Sequence, residues 1–430
     1  MTPLKIGIAG LGTVGQGTVR LLSENASLIG QRAGRDVEIG AVCARDRNKE
    51  RDIDISGFRW IDDPLEFAND PDIDVVVELI GGDSGVALEL TEAALDSGKS
   101  VVSANKALLA NRGYALACQS AKTGACLYYE AAIAGGIPIV KTLREGLAGN
   151  KITTIAGILN GTSNYILTRM EESGAEFDEI LKEAQDKGYA EADPEFDIEG
   201  IDAAHKLALL VALAFGVKPD LKALPASGIK AISQEDIQNA ATLGYKIKLL
   251  GIAQKTSAGI SQKVGPALVP YDHPLSKVEG VLNAVYVTGD FVHSSFSVGP
   301  GAGKEPTASA VVADIIDIAR DNKREILGVA PGDLAKPFWV SQDEIERRYY
   351  IRLPVLDKPG VLSDISGILK KYDISVETLI QIGRDPDQPV SIVMTSHEAK
   401  GGEITKACSD ISTLEACLGH PCIIPIETIT

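Results

Sequence analysis

The run LKIGIAGLGTVGQGTVRLL constrains the fold more than any other stretch of this chain. Leu4 to Gly10 reads as a buried strand that passes, without a linker, into the helical pattern TVGQGTVRLL. A strand that turns at once into a helix leaves no room for a hairpin, so neighbouring strands are reached by crossovers and run parallel. The turn itself, GLGTVG from Gly10 to Gly15, has the spacing G-x-G-x-x-G. Gly10 permits the tight bend, Gly12 lets main-chain N–H groups approach a pyrophosphate, and Gly15 lets the helix lie close to the sheet with its positive end toward the anion. A bare structural turn is the alternative; the strand before it and the helix after it favour a dinucleotide site.

The alternation of strand and helix continues for about 130 residues, with strands predicted at 4–10, 37–44, 74–80, 100–104 and 125–131, the signature of a doubly wound Rossmann-type sheet. The pattern then changes. A strand at 151–159, a helix from about Asn164, an acidic stretch, an all-apolar helix at 201–215, β pattern at LVPYD, AVYVTGD and SSFSVG, and a helix at about 306–322 describe an α+β region. The stretch GVAPGDLAKPFWVSQDEIERR reads as a linker. After it RYYIRLPV, VLSDISGILKKYD, SVETLIQIG, PVSIVMTS, EITKACSDISTL and CIIPIET spell βαββαβ, a ferredoxin-like module, with a hairpin-like turn at RDPDQ. The expected domains are 1–134 for the nucleotide, 135–325 for substrate and catalysis with its last helix returning to the nucleotide domain, a linker at 326–347, and a small domain at 348–430.

Charge narrows the partners. With 42 basic against 59 acidic residues, net −17, the chain has no electrostatic case for nucleic acid or an anionic membrane, and a small-molecule partner is expected. The six cysteines show no CxxC spacing and sit in apolar runs such as AVCA, as buried thiols of a reducing cytosol do. The start runs straight into a core strand and nowhere do 18 uncharged apolar residues follow one another, so a soluble cytoplasmic protein is expected.

Three further places carry chemistry. At the tip of the second strand stand Ala44, Arg45, Asp46 and Arg47, where an NAD site usually places an acid; two arginines suit a 2′-phosphate, so NADP is favoured over NAD, although Asp46 pointing inward or solvated arginines would undo this. After the fourth strand, SANKALLA offers Asn105 and Lys106 at the sheet edge where ligands bind, or simply a helix cap and an exposed lysine. The third place is GYAEADPEFDIEGIDAAHKLALLVALAF, in which Asp202 and Lys206 stand four apart at the mouth of a helix with no polar residue beyond them. A surface i, i+4 pair is the ordinary reading, but here the helix enters a packed interior, where a carboxylate and an ammonium require a cavity or ligand. Glu191, Asp193 and Asp197 lie upstream on what Pro194 marks as a loop, where carboxylates would receive a ligand's ammonium group and Lys206 could protonate a carbonyl being reduced. His205 reads as packed or capping, without a second ligand at metal spacing. SVGPGAGKEPTASA is not a phosphate loop, because Gly299 and Gly303 are too close and Glu305 follows Lys304.

GILNGTSNYILTRM at 157–170 followed by GYAEADPEFDIEGIDAAHKLALL resembles the signature of the homoserine dehydrogenases, and GLGTVGQG, SANKALLA and YYEAAIAGGIPI extend the resemblance over the chain. It implies interconversion of L-homoserine and L-aspartate 4-semialdehyde with NAD(P), in threonine, methionine and isoleucine biosynthesis. Lys206 would be proton donor and acceptor, Glu191 and Asp202 would hold the substrate, and Lys106 would lie between nicotinamide and substrate. Gly188 and Gly303 would line the site by backbone; Thr13, Val14 and Arg45 would contact the dinucleotide. A monovalent cation, sodium by family habit, would be bound by Glu130 and the carbonyls of Ile133, Gly135 and Ile137, and the middle domain would also make a homo-oligomer, dimer or tetramer. From Tyr349, DKPGVLSDISGILKKYDIS resembles an ACT domain, with L-threonine the implied effector and a plain dimerisation module the alternative. A phosphorylating semialdehyde dehydrogenase would need a nucleophilic cysteine, and none lies between 160 and 206. A non-catalytic amino-acid sensor would have lost Lys206 or the glycine turn, and both are present.

Overall fold

The computed structural model describes residues 2–381 and 389–429; the turn expected at RDPDQ lies outside them. The chain divides into two compact units, one of Met1–Ile155, Asp202–Leu224 and Leu282–Pro337, the other of Ala156–Ile201, Pro225–Val281 and Phe338–Thr430.

In the first unit β1 (Leu4–Ala9), β2 (Val37–Cys43), β3 (Arg59–Trp60), β4 (Val75–Glu78), β5 (Ser100–Ser103) and β6 (Leu127–Tyr128) form a sheet in the order β3-β2-β1-β4-β5-β6, with every described pairing parallel. Ile6, Ile8, Val75, Val77 and Val102 are buried, as a strand covered on both faces requires. The order reverses beside β1, so α1 (Thr13–Glu24) starts at the switch point where such sheets bind dinucleotides. The helix Lys304–Ala319, far along the chain, packs onto this core through Val311, Val312 and Ile315. Its contact with α1 is close enough that a Cβ on Gly17 would fall 2.6 Å from the Lys304 carbonyl oxygen. The helix Ile201–Phe215 is buried on all sides from Asp202 to Leu213, as its composition demands.

In the second unit a long hairpin, Tyr245–Thr256 against Gly259–Pro270, leads into Cys422–Ile426, Glu346–Leu356, Pro389–Ser396 and Val376–Gln381, in that order across the sheet. The last four are a ferredoxin-like arrangement, with Val361–Lys371 and Gly401–Ile411 closing a core around Ile351, Leu353, Ile365 and Ile404. Ile426 pairs with Leu268, so this module continues the hairpin sheet rather than standing apart from it.

Several elements differ from the sequence expectation for local reasons. The strand expected at 125–131 stops at Tyr128 and gives way to the 3-10 turn Glu130–Ala132. The helix expected from Asn164 begins at Gly161, because the Asn160 side chain caps it by accepting from Ser163 N–H. Pro194 does not keep 195–198 out of helix: Glu195–Ile198 forms one turn with Pro194 at its N-cap. Half of the cysteines, Cys118, Cys417 and Cys422, are only partly buried; among the described residues all six are free thiols. Between 326 and 340 the chain is anchored, with Ile326, Leu327 and Leu334 buried and bridges from Ala335 to Val217 and from Trp339 to Ile260.

Candidate active site

The helix Ile201–Phe215 brings Asp202 and Lys206 to one face, one turn apart, inside the first unit. Lys206 Nζ donates to Asp202 Oδ2 at 2.8 Å, and both side chains are more than nine-tenths buried. The second carboxylate oxygen, Oδ1, lies 3.1 Å from Lys106 Nζ. One buried carboxylate is thus held between two ammonium groups, leaving a net positive corner suited to an oxygen that gains negative charge. His205 packs beside this group; burial pushes its imidazole below the ordinary value, against the opposing charge of Asp202. Among the described residues no three His, Cys, Asp or Glu side chains converge as a metal cluster.

The cap expected of Asn105 is seen, whereas Lys106 is not simply an exposed lysine. Asn105 caps the helix Lys106–Thr123 by accepting from Leu108 N–H, and its Nδ2 also donates to the Gly82 carbonyl at 2.6 Å. Lys106, on the first turn, reaches Asp202 instead of solvent alone. Beneath them lies Glu78, which the sequence reading passed over. It is fully buried at the end of β4, its Oε1 accepting from the N–H groups of Ile80 and Gly81 and its Oε2 from Ser103 Oγ. That carboxylate stiffens the carboxyl edge of the sheet; the acid that follows the three valines of DVVVELI was its signal.

The glycine turn opens on a cavity of about 800 Å³ lined by Gly10, Gly12, Arg45, Lys49, Arg51 and the residues between them in space. Gly10 has φ +107° and a Cβ there would sit 2.4 Å from the Leu79 carbonyl oxygen, whereas above Gly12 the space is open. A Cβ on Gly15 would meet the Gly10 carbonyl at 2.0 Å, so the helix approaches the turn itself, and the helix-to-helix contact falls to Gly17. Thr13 and Val14 open α1. At the strand tip Arg45 and Asp46 line the cavity, with the Asp46 carboxylate tied to Asn48 N–H at 2.8 Å. Arg47 stands over the Trp60 ring at 5.7 Å rather than in the cavity lining. Arg51 donates to the carbonyls of Asp46, Arg47 and Lys49, folding this loop around its own guanidinium. Lys49 and Arg51 add cationic lining that sequence reasoning missed, since they lie beyond the strand in a segment without periodicity.

Gly303, with φ +121°, is the N-cap of Lys304–Ala319 in the first unit. Gly188, with φ +73°, and Glu191 belong to the second; Glu191 is exposed, and its carbonyl accepts from Gln185 Nε2. Glu130 is buried, its two carboxylate oxygens accepting from Val140 and Lys141 N–H at 2.8 and 2.9 Å, and burial pushes its pKa up. Ile133 and Ile137 are buried beside it in sequence, and Gly135 has φ +52°, with room for no Cβ against the Gly301 carbonyl oxygen at 2.6 Å. A buried carboxylate with main-chain carbonyls is a hard, all-oxygen donor set of the kind that alkali and alkaline-earth cations take. The Ile137 carbonyl already accepts from Ile139 N–H, leaving it one further lone pair.

Comparison with known proteins agrees over the whole chain. Residues 138–316 match the family model described as homoserine dehydrogenase, and residues 10–130 match that of the homoserine dehydrogenase NAD binding domain. The chain is 45% identical over 427 residues to the homoserine dehydrogenase of Neisseria gonorrhoeae, covering 98% of each, and 42% identical to that of Pseudomonas aeruginosa, covering 100% of each. The crystal structure of a homoserine dehydrogenase from Thiobacillus denitrificans superposes with TM-score 0.94 at 42% identity, covering 99% of both chains. A hyperthermophilic archaeal homoserine dehydrogenase in complex with NADPH gives TM-score 0.63 at 27% identity over 74% of this chain and 97% of its own.

Proposed function

The chain belongs to the homoserine dehydrogenase family, oxidoreductases built on a nicotinamide-binding domain, and from that premise we propose how its residues divide the work. When bound, reduced nicotinamide supplies the hydride that reaches the aldehyde carbon of L-aspartate 4-semialdehyde. Lys206 gives its proton to the aldehyde oxygen as L-homoserine forms and takes it back in the reverse direction. Asp202 aims that ammonium and, with Glu191, receives the substrate's α-amino group; Lys106 offsets charge on the reacting oxygen. Gly188 and Gly303 approach by backbone, and Thr13 and Val14 by the first turn of α1. The observation that carries the reading is the buried Lys206–Asp202 pair with the partly exposed Lys106 on its second oxygen, a group that shares a unit with the cavity beside the glycine turn.

NADP is the preferred cofactor in this reading, because Arg45, Lys49 and Arg51 gather at the ribose end of that cavity, as a 2′-phosphate requires. A sodium ion would be held by Glu130 and the carbonyls of Ile133, Gly135 and Ile137, where it would brace the loop leading out of the nucleotide-binding region. The C-terminal module at 348–430 acts as an ACT domain: a cavity of about 510 Å³ lined by Asp357, Lys358, Gly360, Val361 and Gln381 suits L-threonine, the end product of the biosynthesis this enzyme serves. The middle region, 135–325, makes the homo-oligomer, and the enzyme works in the cytoplasm.

The test follows nicotinamide absorbance with purified protein, L-homoserine, and NADP or NAD in turn, with and without L-threonine. Homoserine-dependent reduction, faster with NADP and lowered by threonine, is expected. No reduction with either cofactor by folded protein would leave an amino-acid sensor on a degenerate dehydrogenase body.

A further inference from the structure

The motif GILNGTSNYILTRM carries no role in the division of labour above, yet its first residues meet the acidic loop directly. Asn160 is buried at the N-cap of the helix Gly161–Ser173 and uses both halves of its amide. Its Oδ1 accepts from Ser163 N–H at 2.8 Å, and its Nδ2 donates to Asp197 Oδ1 at 2.8 Å. Ser163 Oγ donates to the Asp197 carbonyl at 3.0 Å, and Thr162 Oγ1 to the Tyr189 carbonyl at 2.7 Å. One helix terminus therefore grips the loop that carries Glu191 at two places, before and after it. The loop's far side has no slack. Ile229 N–H donates to the Ile198 carbonyl at 2.9 Å, a Cβ on Gly228 would lie 2.2 Å from that same oxygen, and a Cβ on Gly200 would lie 3.0 Å from Val264.

The choice of asparagine follows from these contacts. Serine, aspartate and asparagine cap a helix about equally well, but asparagine alone carries its acceptor and its donor on two separate atoms, so that one side chain caps through Oδ1 and donates to a carboxylate through Nδ2. The amide's orientation follows too, since an ionised Asp197 can only accept.

We infer that Asn160 is a positioning residue for homoserine recognition, fixing the Asp197 carboxylate and with it the loop that presents Glu191 to the amino-acid substrate. The inference rests on the reading that this acidic loop receives the substrate. Asn160→Ser keeps the cap and loses the grip. It should raise KM for L-homoserine about tenfold or more while kcat, KM for NADP and the thermal midpoint stay near wild type. In an Asp197→Ala background, which has no acceptor for the Asn160 amide, the same change should add nothing further. A homoserine KM left at the wild-type value, equal rises in both KM values, or full additivity with Asp197→Ala would each overturn it. Asn160→Asp also keeps the cap but sets carboxylate against carboxylate, so its homoserine KM should improve as pH falls; a flat profile counts against the grip. Glu191→Gln separates the two levels. If it raises the homoserine KM and Asn160→Ser does not, only the positioning role fails; if neither does, the loop is not the recognition loop.

Discussion

At the scale of residues, the charged cluster was legible where composition and position conflicted. Asp202 and Lys206 stood out because charges at the mouth of an apolar helix need a reason, and the structure buries both within 2.8 Å of each other. Lys206→Ala removes the proposed proton donor but leaves Asp202 paired with Lys106. Turnover should fall by about 10²- to 10⁴-fold with NADP affinity unchanged, read from kcat and from a separate binding titration; retained turnover would remove Lys206 from its role. Arg45 was legible as a departure from the usual acid at a strand tip. Arg45→Asp should lower kcat/KM with NADP about tenfold more than with NAD, and an unchanged ratio of the two would shift the 2′-phosphate role to Lys49 and Arg51. Those two were illegible because a loop's side-chain directions follow from its own hydrogen bonds, here the three carbonyls held by Arg51, and not from any period.

At the scale of elements, periodicity found the helices and buried strands of the first unit but not the hairpin Tyr245–Thr256 and Gly259–Pro270, of which only LVPYD was recognised. The cause is visible in Lys248, which a strand reading places on the wet face and the structure leaves 1% exposed. Its Nζ donates to Asn164 Oδ1 at 3.2 Å and to the Val278 carbonyl at 2.6 Å, tying the hairpin to the helix Gly161–Ser173. Burial pushes this lysine down to about 8, with Lys246 adding to the effect. A depressed lysine has a definite sign. Between that value and its ordinary one the unfolded chain holds a proton that the folded chain lacks, so folding stability from this group rises with pH across about 8 to 10.5. The full span is worth about 3 kcal/mol. Lys248→Met should therefore flatten the rise in thermal midpoint of the wild type between about pH 8 and pH 10; parallel curves for the two proteins would show that the group is not desolvated as described.

At the scale of the whole molecule, restarts of pattern set the expected order of domains, whereas the joints between elements were not readable, because they are made by charges that look solvated in sequence. Asp236, fully buried, accepts from Arg352 Nε and Nη2 at 2.7 and 2.9 Å and from the Tyr350 hydroxyl at 2.9 Å. Burial alone would raise this carboxyl, but the Arg352 guanidinium holds it below the usual range. Glu427 is likewise buried between Lys263 and Arg347, whose charges outweigh burial and keep it low. Both joints tie the strand Glu346–Leu356 to elements of the second unit outside the small domain, and the end of that same strand, Val355 and Leu356, lines the cavity assigned to the effector. The C-terminal module is therefore not expected to behave as a detachable sensor. Removing residues 342–430 would uncover the edge of Gly259–Pro270 and leave Asp236 and Lys263 without their charged partners. Breaking one buried pair on one side costs about 3 to 5 kcal/mol, although exposure of the edge to water would recover part of it. The truncated protein should lose thermal stability by several degrees or fail to stay soluble, whereas Gly360→Ala, which strains φ +98° at the cavity's helix start, should blunt the threonine response at a near wild-type midpoint. A truncated enzyme with wild-type midpoint and activity would show that the two buried joints contribute nothing to the rest of the unit.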